Sequence, residues 1–363
     1  MRLTTSPPAV VYPGAAWDEL ALPPEKQAAA SELVRYAFPT PTPEDDHARK
    51  GIRSDGVVVI QHGKLVFEHY ARGYTKDTPH LAWSMTKSIM NALVGAAVGQ
   101  GRLKLDDSIC KYVPETRTDN CGVTVEHLLR FSSGLSWNEG YEGSIFSSTV
   151  LQMLYSDNAH DMAAYVASQD PEFKPGTHWR YSSGDTTLLA RVLRGALGGA
   201  LDDTFPKSTL FAPLGMTSAA LERDGSRTIV GSSYLHATPR DLARFGYLYL
   251  HGGTWGTTSI VTPEWIKLTT TISPAFRTTQ LLEDDKDVTS GAAFWLNQPV
   301  PEAGVKVPWP DVPQDAFAAL GHWGQGVYVI PSLDVVIVRV ADDRDGKSFQ
   351  KNEFLKRVLA VLP

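Results

Sequence analysis

Strand-type sequence patterns lie towards both ends of this chain, with a long helical middle between them, and this order strongly constrains the fold. Residues 55–70 contain two apolar, β-branched runs that flank a turn at His62-Gly63, which predicts a β-hairpin. After Thr289 the strand period returns in four segments, residues 291–298, 316–320, 326–330 and 334–340. We therefore predict a sheet that is assembled from both ends of the chain.

A long apolar helix is predicted to begin at Ser84 and to stop at Gly99–Gly101. Its buried face is marked by apolar residues at spacings of three and four, namely Met90, Leu93, Val94, Ala97 and Val98. Further helices are predicted near Lys26–Tyr36, after the capping pairs Thr238-Pro239 and Thr262-Pro263, and across residues 349–363.

These patterns divide the chain into two lobes. Residues 1–105 and 250–363 are predicted to form an α/β lobe, and residues 106–249 a mostly helical lobe. The chain has 363 residues, 42% of them apolar, so it is long enough to bury a large core. A cleft between two such lobes is a common place for a binding site.

Charge and composition exclude several classes of function. The net charge is −6 and both signs are interspersed, so no basic stripe offers a surface to nucleic acid. No apolar run approaches the roughly 18 residues of a membrane span. The first residues also lack the apolar segment of a secretory signal. We therefore expect a cytoplasmic protein that binds neither nucleic acid nor membranes.

Two cysteines, Cys110 and Cys121, are the only ones in the chain. In a reducing cytoplasm they are expected to be free thiols. Two cysteines cannot by themselves close a zinc site, so neither a metal nor another cofactor is predicted.

The motif Ser-x-x-Lys occurs three times, and only its context distinguishes the copies. Chance alone would produce on the order of one copy. Ser108 and Lys111 lie in a polar loop, and Ser348 and Lys351 open the terminal helix after a charged run. Both of these copies are interpreted as structural.

The remaining copy, Ser84 and Lys87, stands at the start of the buried helix. A spacing of three places both side chains on one helical face. Free N–H groups and the helix dipole favour negative charge on an oxygen at this end. Desolvation would also lower the pKa of the lysine. The pair thus has the pattern of a nucleophile with its base, although a serine cap beside a surface lysine explains the same residues.

Two further segments supply candidate partners. Tyr181 and Ser183 come just ahead of another predicted helix, and a tyrosine can share proton transfer with a lysine. Gly321, Gly324 and Gly326 interrupt a strand, where a close backbone approach, a bulge or a barrel corner is expected. The sequence contains no G-x-S-x-G elbow, no H-E-x-x-H and no phosphate-binding loop.

Together, the three segments resemble the serine β-lactamase and penicillin-binding-protein superfamily, in its class C β-lactamase/esterase branch. That branch has S-x-x-K, then Y-x-N or Y-x-S, then K/H-x-G. The matching segments here are Ser84-Met85-Thr86-Lys87, Tyr181-Ser182-Ser183 and His322-Trp323-Gly324. The resemblance covers roughly residues 55–341. Within the branch, HLAWSMTKS and GHWGQGVYVIPSLDVVIVRV are most similar to the 6-aminohexanoate-dimer (nylon oligomer) hydrolases and their esterase relatives.

This resemblance implies an α/β (α+β) fold of the β-lactamase type, with an antiparallel sheet flanked by helices beside an all-helical lobe. It also implies that Ser84 is the nucleophile and that Lys87 and Tyr181 move protons. The backbone N–H groups of Ser84 and Gln325 would form the oxyanion hole. The residues expected to contact substrate are Tyr141, Ser183, His322, Trp323 and Gly324.

The implied function is a serine hydrolase that cleaves small carboxylic esters or linear amides through an acyl-serine intermediate. His322 replaces the lysine that would hold a β-lactam carboxylate, and Ser183 replaces an asparagine, so antibiotics are disfavoured as substrates. A D-amino-acid amidase or peptidase, a β-lactamase and an acyltransferase stay open, as does a non-catalytic binding protein. A homodimer also stays open, as does the choice between Lys87 and Tyr181 as the resting base.

Overall fold

A computed structural model describes residues 10–141 and 144–363. Its strands are β1 (Asp18–Glu19), β2 (Ser54–Gln61), β3 (Lys64–Tyr70), β4 (His80–Leu81), β5 (Ala220–Leu221), β6 (Leu235–Ala237), β7 (Thr254–Trp255), β8 (Thr258–Ser259), β9 (Trp295–Leu296), β10 (Phe317–Gly321), β11 (Gln325–Ile330) and β12 (Val335–Ala341). Its α-helices are α1 (Gln27–Ala37), α2 (Pro43–His47), α3 (Met85–Gly99), α4 (Val125–Leu129), α5 (Thr149–Tyr155), α6 (Met162–Ala167), α7 (Ser183–Leu197), α8 (Gly199–Phe205), α9 (Ala212–Leu214), α10 (Pro239–Leu250), α11 (Pro263–Thr269), α12 (Pro274–Thr278) and α13 (Lys351–Val361).

Shorter helical turns connect these elements. They are the 3₁₀ segments Pro24–Lys26, Ile109–Lys111, Thr118–Asn120, Asp157–His160, Glu283–Asp287, Pro301–Ala303, His322–Gly324 and Pro331–Leu333, and a π-helical turn at Pro206–Phe211. Among the helices of the described residues, none is long and apolar enough to cross a membrane. The same residues contain no cluster of three His, Cys, Asp or Glu side chains placed to hold a metal ion.

Seven strands form the main sheet, in the order β1-β3-β2-β12-β11-β10-β9. Neighbouring strands are antiparallel except β1 and β3, which run parallel. The hairpin of β2 and β3 turns at His62-Gly63, as predicted. At the centre of the sheet, β2 pairs with β12, with Val58 opposite Val338. The prediction of an antiparallel sheet flanked by helices is confirmed. The strands of this sheet lie within residues 18–70 and 295–341.

Alternating residues of β2 face two separate cores, because successive strand side chains point to opposite faces. Val57 packs in a cluster with Leu33 of α1 and Phe354 of α13. Val58 faces the other side, in the cluster that includes Leu248 of α10. Helix α10 lies against β2, β11 and β12. It therefore covers the sheet, although it falls in the range that we assigned to the helical lobe.

Helix α3 lies between the sheet and helix α7 and positions the candidate site. It contacts α7 on one side and β10 and β11 on the other, and its residues Met85–Ala97 are all buried. Its start after Ser84 and its end at Gly99 match the prediction. A helix that is buried on every side must pair its polar side chains within the protein.

One predicted strand is much shorter in the structure. Within residues 291–298 only Trp295 and Leu296 belong to a strand. The carbonyl oxygen of Ala292 accepts a hydrogen bond from Asn91 Nδ2, and that of Ala293 accepts one from Ser88 Oγ. This backbone is therefore bonded to α3, and pairing with a neighbouring strand is replaced by those side-chain contacts.

The expectation of free thiols is wrong, because Cys110 and Cys121 form a disulfide. Two short helical turns hold the cysteine Cα atoms 5.3 Å apart, within the range that a disulfide can bridge. Ser108 Oγ supports the same corner by donating to the carbonyl oxygen of Cys121 at 2.8 Å. Disulfides are rare in the cytosol, so the pairing also counts against the predicted cytoplasmic location.

The disulfide is expected to stabilise the fold. Its two cysteines are separated by 11 positions, and the chain-entropy account assigns about 2–3 kcal/mol of unfolding free energy to a cross-link of this size. The Cys110→Ser/Cys121→Ser variant should therefore unfold at a lower urea concentration than the oxidised protein. Urea unfolding followed by circular dichroism measures this. Equal midpoints for the oxidised protein, the reduced protein and the variant would contradict the prediction.

Candidate active site

The first turn of α3 brings Ser84 and Lys87 into contact. Ser84 directly precedes the helix, and Lys87, one turn further on, is only 2% exposed. Lys87 Nζ lies 2.9 Å from Ser84 Oγ, within hydrogen-bonding distance. Trp83, the residue before Ser84, has a left-handed φ of 48°, a strained conformation of the kind that concentrates at functional sites. The predicted pair therefore meets in a backbone turn that is held under strain.

Three segments meet at the Lys87 amine. Besides Ser84 Oγ, Lys87 Nζ bonds to Ser183 Oγ at 3.0 Å and to the carbonyl oxygen of Ser232 at 2.9 Å. A protonated lysine uses all three of its N–H groups in this way. A neutral lysine can keep the bonds to Ser183 and Ser232 and accept the hydroxyl hydrogen of Ser84 on its lone pair. The same partners thus serve both protonation states.

Tyr181 stands at the start of α7 and completes the cluster. Ser182 caps the helix, its Oγ accepting from the backbone N–H of Asp185 at 2.9 Å. The Tyr181 ring packs edge-on against Phe131, and the Tyr181 side chain interacts with Ser84. Lys87 Nζ lies 4.9 Å from the centre of the Tyr181 ring. The structure therefore brings the three predicted catalytic residues together.

The pKa values of Lys87 and Tyr181 are shifted in opposite directions. Burial lowers the pKa of Lys87 to about 8, and the negative charge of Glu139 opposes that shift. Burial and then Glu139 raise the pKa of Tyr181 well above its ordinary range, although the hydrogen bond with Ser84 lowers it. At neutral pH the tyrosine therefore keeps its proton, and the lysine is the group that loses one more easily.

Ser183 does not lie on the cleft wall, where we predicted contact with substrate. Its side chain is fully buried. Its Oγ accepts from Lys87 and donates to Glu139 Oε1 at 2.5 Å. The hydroxyl is thus already engaged on both sides, and it links the lysine to a carboxylate.

Glu139 is a residue that sequence reasoning missed. Its Oε2 accepts from the backbone N–H of Ser183 at 2.8 Å and from Trp137 Nε1 at 2.6 Å. A single carboxylate in a loop has no motif spacing relative to Ser84 that would identify it. The one available signal was its position two residues before Tyr141 in the segment WNEGY.

The third of the three motifs, His322-Trp323-Gly324, is called the third motif below. It lies directly against the turn that precedes Ser84. A Cβ placed on Gly321 would lie 2.4 Å from the carbonyl oxygen of Ala82, so the close backbone approach predicted for these glycines occurs here. Gly321 pairs with Gln325 across the hairpin of β10 and β11. Gln325 is thus paired with the residue that contacts Ala82, two positions before Ser84.

A buried ion pair between Arg339 and Asp343 holds the third motif in place. Arg339 is fully buried and donates from Nη1 to Asp343 Oδ2 at 2.6 Å and to the carbonyl oxygen of Gly324 at 2.9 Å. The backbone N–H of Asp343 donates to the carbonyl oxygen of Trp323 at 3.1 Å. Trp323 has a left-handed φ of 58°, which these two bonds hold in place.

Aromatic rings line a cavity of about 560 Å³ beside the third motif. Tyr141 stacks on His322 with ring centres 5.2 Å apart, and Trp83 meets Trp323 edge-on at 5.1 Å. Tyr155 lines the same cavity, and residues 343–346 form part of its far wall. Four of the five predicted substrate residues therefore share one cavity, namely Tyr141, His322, Trp323 and Gly324.

The other two Ser-x-x-Lys copies have local structural partners. Ser108 Oγ accepts from the backbone N–H of Cys110, as the cap of a 3₁₀ turn. Ser348 Oγ donates to Asp345 Oδ2 at 2.6 Å in an exposed loop. Both hydroxyls thus hold turns, which agrees with their interpretation as structural.

Known proteins are similar to this chain in sequence and architecture. The family model described as Beta-lactamase matches residues 40–361. The 6-aminohexanoate-dimer hydrolase of Paenarthrobacter ureafaciens is 24% identical over 336 residues, which cover 86% of this chain and 79% of that protein. Esterase EstB of Burkholderia gladioli is 28% identical over 200 residues, covering 49% of this chain and 51% of EstB. A penicillin-binding-protein homologue from Caulobacter crescentus has a similar fold, with a TM-score of 0.68 at 20% identity, covering 94% of this chain and 99% of that one.

Removal of the arginine that anchors the third motif is expected to destabilise the protein. Arg339→Met would leave Asp343 buried without its cation, which costs about 3–5 kcal/mol of unfolding free energy. Chemical denaturation of the variant and of the parent protein measures the difference. The double variant Arg339→Met/Asp343→Asn should lose less than the single variant, because the uncompensated charge is gone. A loss below about 1 kcal/mol in Arg339→Met, typical of a surface substitution, would contradict the anchoring role.

Proposed function

Because the chain belongs to the beta-lactamase family and is a hydrolase of that superfamily, we propose that it cleaves carboxylic esters or linear amides through an acyl-Ser84 intermediate. The observation that carries the proposal is the 2.9 Å contact between Lys87 Nζ and Ser84 Oγ, made by a lysine that is 2% exposed. A desolvated amine beside a hydroxyl is the arrangement of a nucleophile with its base.

Acylation starts from the neutral form of Lys87. Ser84 Oγ forms a bond to the carbonyl carbon of the substrate, and its proton passes to Lys87 Nζ. The bond between the carbonyl carbon and the leaving oxygen or nitrogen then breaks, while Tyr181 gives its phenolic proton to that leaving atom and regains a proton from Lys87. The products of this step are acyl-Ser84 and a free alcohol or amine, while Lys87 and Tyr181 return to their starting protonation.

Hydrolysis of the acyl-enzyme uses the same groups in reverse. A water molecule takes the place of the departed alcohol or amine, next to Tyr181. As its oxygen attacks the acyl carbon, its proton passes through Tyr181 and Lys87 to Ser84 Oγ. The bond between the acyl carbon and Ser84 Oγ breaks, Ser84 regains its hydrogen, and the carboxylic acid is released.

The backbone N–H groups of Ser84 and Gln325 are proposed to bind the carbonyl oxygen. Support comes from the close approach of Gly321 to the carbonyl oxygen of Ala82, which holds the two backbone segments together. The third-motif loop is also fixed before substrate arrives, because Arg339 holds the carbonyl oxygen of Gly324. Loss of one such donor typically costs about 10²–10³ in rate.

The cavity wall favours substrates with apolar acyl or amine chains. Rings of Trp83, Tyr141, Tyr155 and Trp323 line the cavity, and aromatic faces bind such chains by apolar contact. His322 stands where β-lactamases of this branch have a lysine, which weakens the grip on a β-lactam carboxylate. Among the relatives, a 6-aminohexanoate-dimer hydrolase and an esterase fit this substrate class.

Substitution of the three catalytic candidates is expected to abolish turnover of p-nitrophenyl acetate and butyrate. Ser84→Ala removes the nucleophile, and Lys87→Ala and Tyr181→Phe each remove a proton-transfer group, a loss on the order of 10²–10⁴-fold. Initial rates of the purified variants measure this. Mass spectrometry should find the acyl group on the peptide that contains Ser84.

Matched serine variants provide the control. Ser108→Ala and Ser348→Ala should keep the parent activity, since both hydroxyls only hold turns. Full turnover in Lys87→Ala, or an adduct on another peptide, would contradict the mechanism. If no activated ester ever acylates the protein, the binding-protein alternative becomes the better account.

The pH dependence of acylation should follow the protonation of Lys87. Only the neutral amine accepts the Ser84 proton, so the reactive fraction grows tenfold per pH unit below the pKa of about 8 and is complete above it. We therefore expect kcat/KM to rise with pH up to that value and then to level off. Initial rates with p-nitrophenyl acetate, corrected with Ser84→Ala, measure the profile. A profile that is flat down to pH 6 would exclude Lys87 as the base.

A further inference from the structure

We propose that Glu139 is a positioning residue for this chemistry: through Ser183 it acts as the counterion of Lys87 and sets the pH at which Ser84 becomes reactive. The inference rests on the proposed roles of Ser84 and Lys87. It concerns a carboxylate that lies outside the three motifs and that takes no part in the proton transfers described above.

A continuous hydrogen-bond chain joins the lysine to this carboxylate. Lys87 Nζ donates to Ser183 Oγ at 3.0 Å, and Ser183 Oγ donates to Glu139 Oε1 at 2.5 Å. Ser183 is fully buried, so water does not compete for its hydroxyl. Because a serine hydroxyl has a single hydrogen, its bond to the carboxylate leaves its lone pairs to accept from Lys87. The chain therefore has one direction, from the amine to Glu139.

The surroundings of Glu139 fit a charged carboxylate. The other oxygen, Oε2, accepts from the backbone N–H of Ser183 and from Trp137 Nε1, at 2.8 Å and 2.6 Å. All three contacts come from donors, and an ionised carboxylate only accepts. Trp137 is 6% exposed, so the indole covers the site from one side. The geometry thus keeps a negative charge close to the buried amine.

The charge of Glu139 opposes the effect of burial on Lys87. Burial lowers the pKa of Lys87 to about 8, and Glu139 raises it. Without the carboxylate, the ammonium form would lose its nearest negative charge, and the pKa would fall further. The neutral, reactive fraction of Lys87 would then be larger at any pH below that value. Glu139 thus holds the lysine in place at the expense of activity at low pH.

Other titratable groups surround the same point. Tyr181 faces Lys87 directly and stays protonated, as described above. On α7, burial raises the pKa of Asp185 to about 7, and its carboxylate accepts from Ser133 Oγ and interacts electrostatically with Glu139. On the sheet side, His322 stacks on Tyr141 across the cavity. A test must therefore report on Lys87 itself as well as on the overall rate.

The first test compares pH profiles of acylation for the parent protein and Glu139→Gln. Removal of an opposite charge shifts a nearby pKa by about 1 unit or more, so the rising limb of kcat/KM should move to lower pH by that amount. At pH 6 each protein should show only a fraction of its maximum rate. This fraction should be about ten times larger in the variant than in the parent protein. Glu139→Asp, which keeps the charge, should return the limb towards the parent position.

Glu115→Gln is the matched control. Glu115 pairs with Arg191 of α7 and is not among the groups that shift the pKa of Lys87. Its removal therefore changes the net charge of the protein by the same amount. Its pH profile should match that of the parent protein. An unmoved limb in Glu139→Gln, or an equal shift in Glu115→Gln, would overturn the inference, because a structural role alone lowers the rate without moving the limb.

The second test reads the lysine directly. Protein labelled with ¹³C at the lysine ε carbon is titrated by NMR, and the Lys87 signal is assigned by its loss in Lys87→Ala. Its midpoint should fall in Glu139→Gln and in Ser183→Ala, which breaks the chain while keeping the carboxylate. An unchanged midpoint in the folded variants overturns the inference even if the protein is an active hydrolase. A shifted midpoint in a protein that never acylates supports Glu139 as the counterion of Lys87, while the proposed function and the effect on Ser84 reactivity fail.

Discussion

One buried amine is the point on which the rest of this site depends. Lys87 is 2% exposed, and an ammonium without water must find its hydrogen bonds within the protein. Ser84 provides one from the turn before α3, Ser183 one from the start of α7, and Ser232 one from the segment before β6. Three elements that are far apart in the sequence are thus joined at a single nitrogen atom. A change in the protonation of Lys87 therefore affects how these three segments pack, and a change in their packing affects the protonation of Lys87.

The parts of the site that lie within one element could be predicted from the sequence. Ser84 and Lys87 share a face because a helix places residues three apart side by side, and the period of apolar residues located that helix. The hairpin of β2 and β3 was predicted in the same way, from alternation around a turn. Tyr181 and Gln325 lie in distant segments. The residues alone offered Tyr181 as one candidate partner, and the resemblance to a family with the same motif order connected both residues to Ser84.

The parts that could not be predicted depend on contacts between residues far apart in the sequence. Glu139 reaches Lys87 only through Ser183, and no spacing rule links a loop carboxylate to a helix. Residues 291–298 alternate like a strand, yet α3 binds the carbonyl oxygens of Ala292 and Ala293. The disulfide forms because two short turns bring the cysteines within reach, a geometry that composition does not show. In each case a tertiary partner overrides the local pattern.

Two kinds of contact hold the residues of this site in place. The groups proposed to carry out the reaction are held by hydrogen bonds, whereas part of the neighbouring cavity wall is held by contacts between rings. The third-motif loop is fixed by directional bonds from Arg339 and Asp343, and the Lys87 cluster by directional bonds to Ser84, Ser183 and Ser232. One part of the cavity wall is held by ring contacts, such as those of Tyr141 with His322 and of Trp83 with Trp323, and such contacts tolerate exchange of one apolar or aromatic side chain for another. In the proposed mechanism the buried cluster therefore determines acyl transfer to serine. In the same proposal, the aromatic residues of the neighbouring cavity influence which ester or amide is bound, because one fold can carry sites of different specificity.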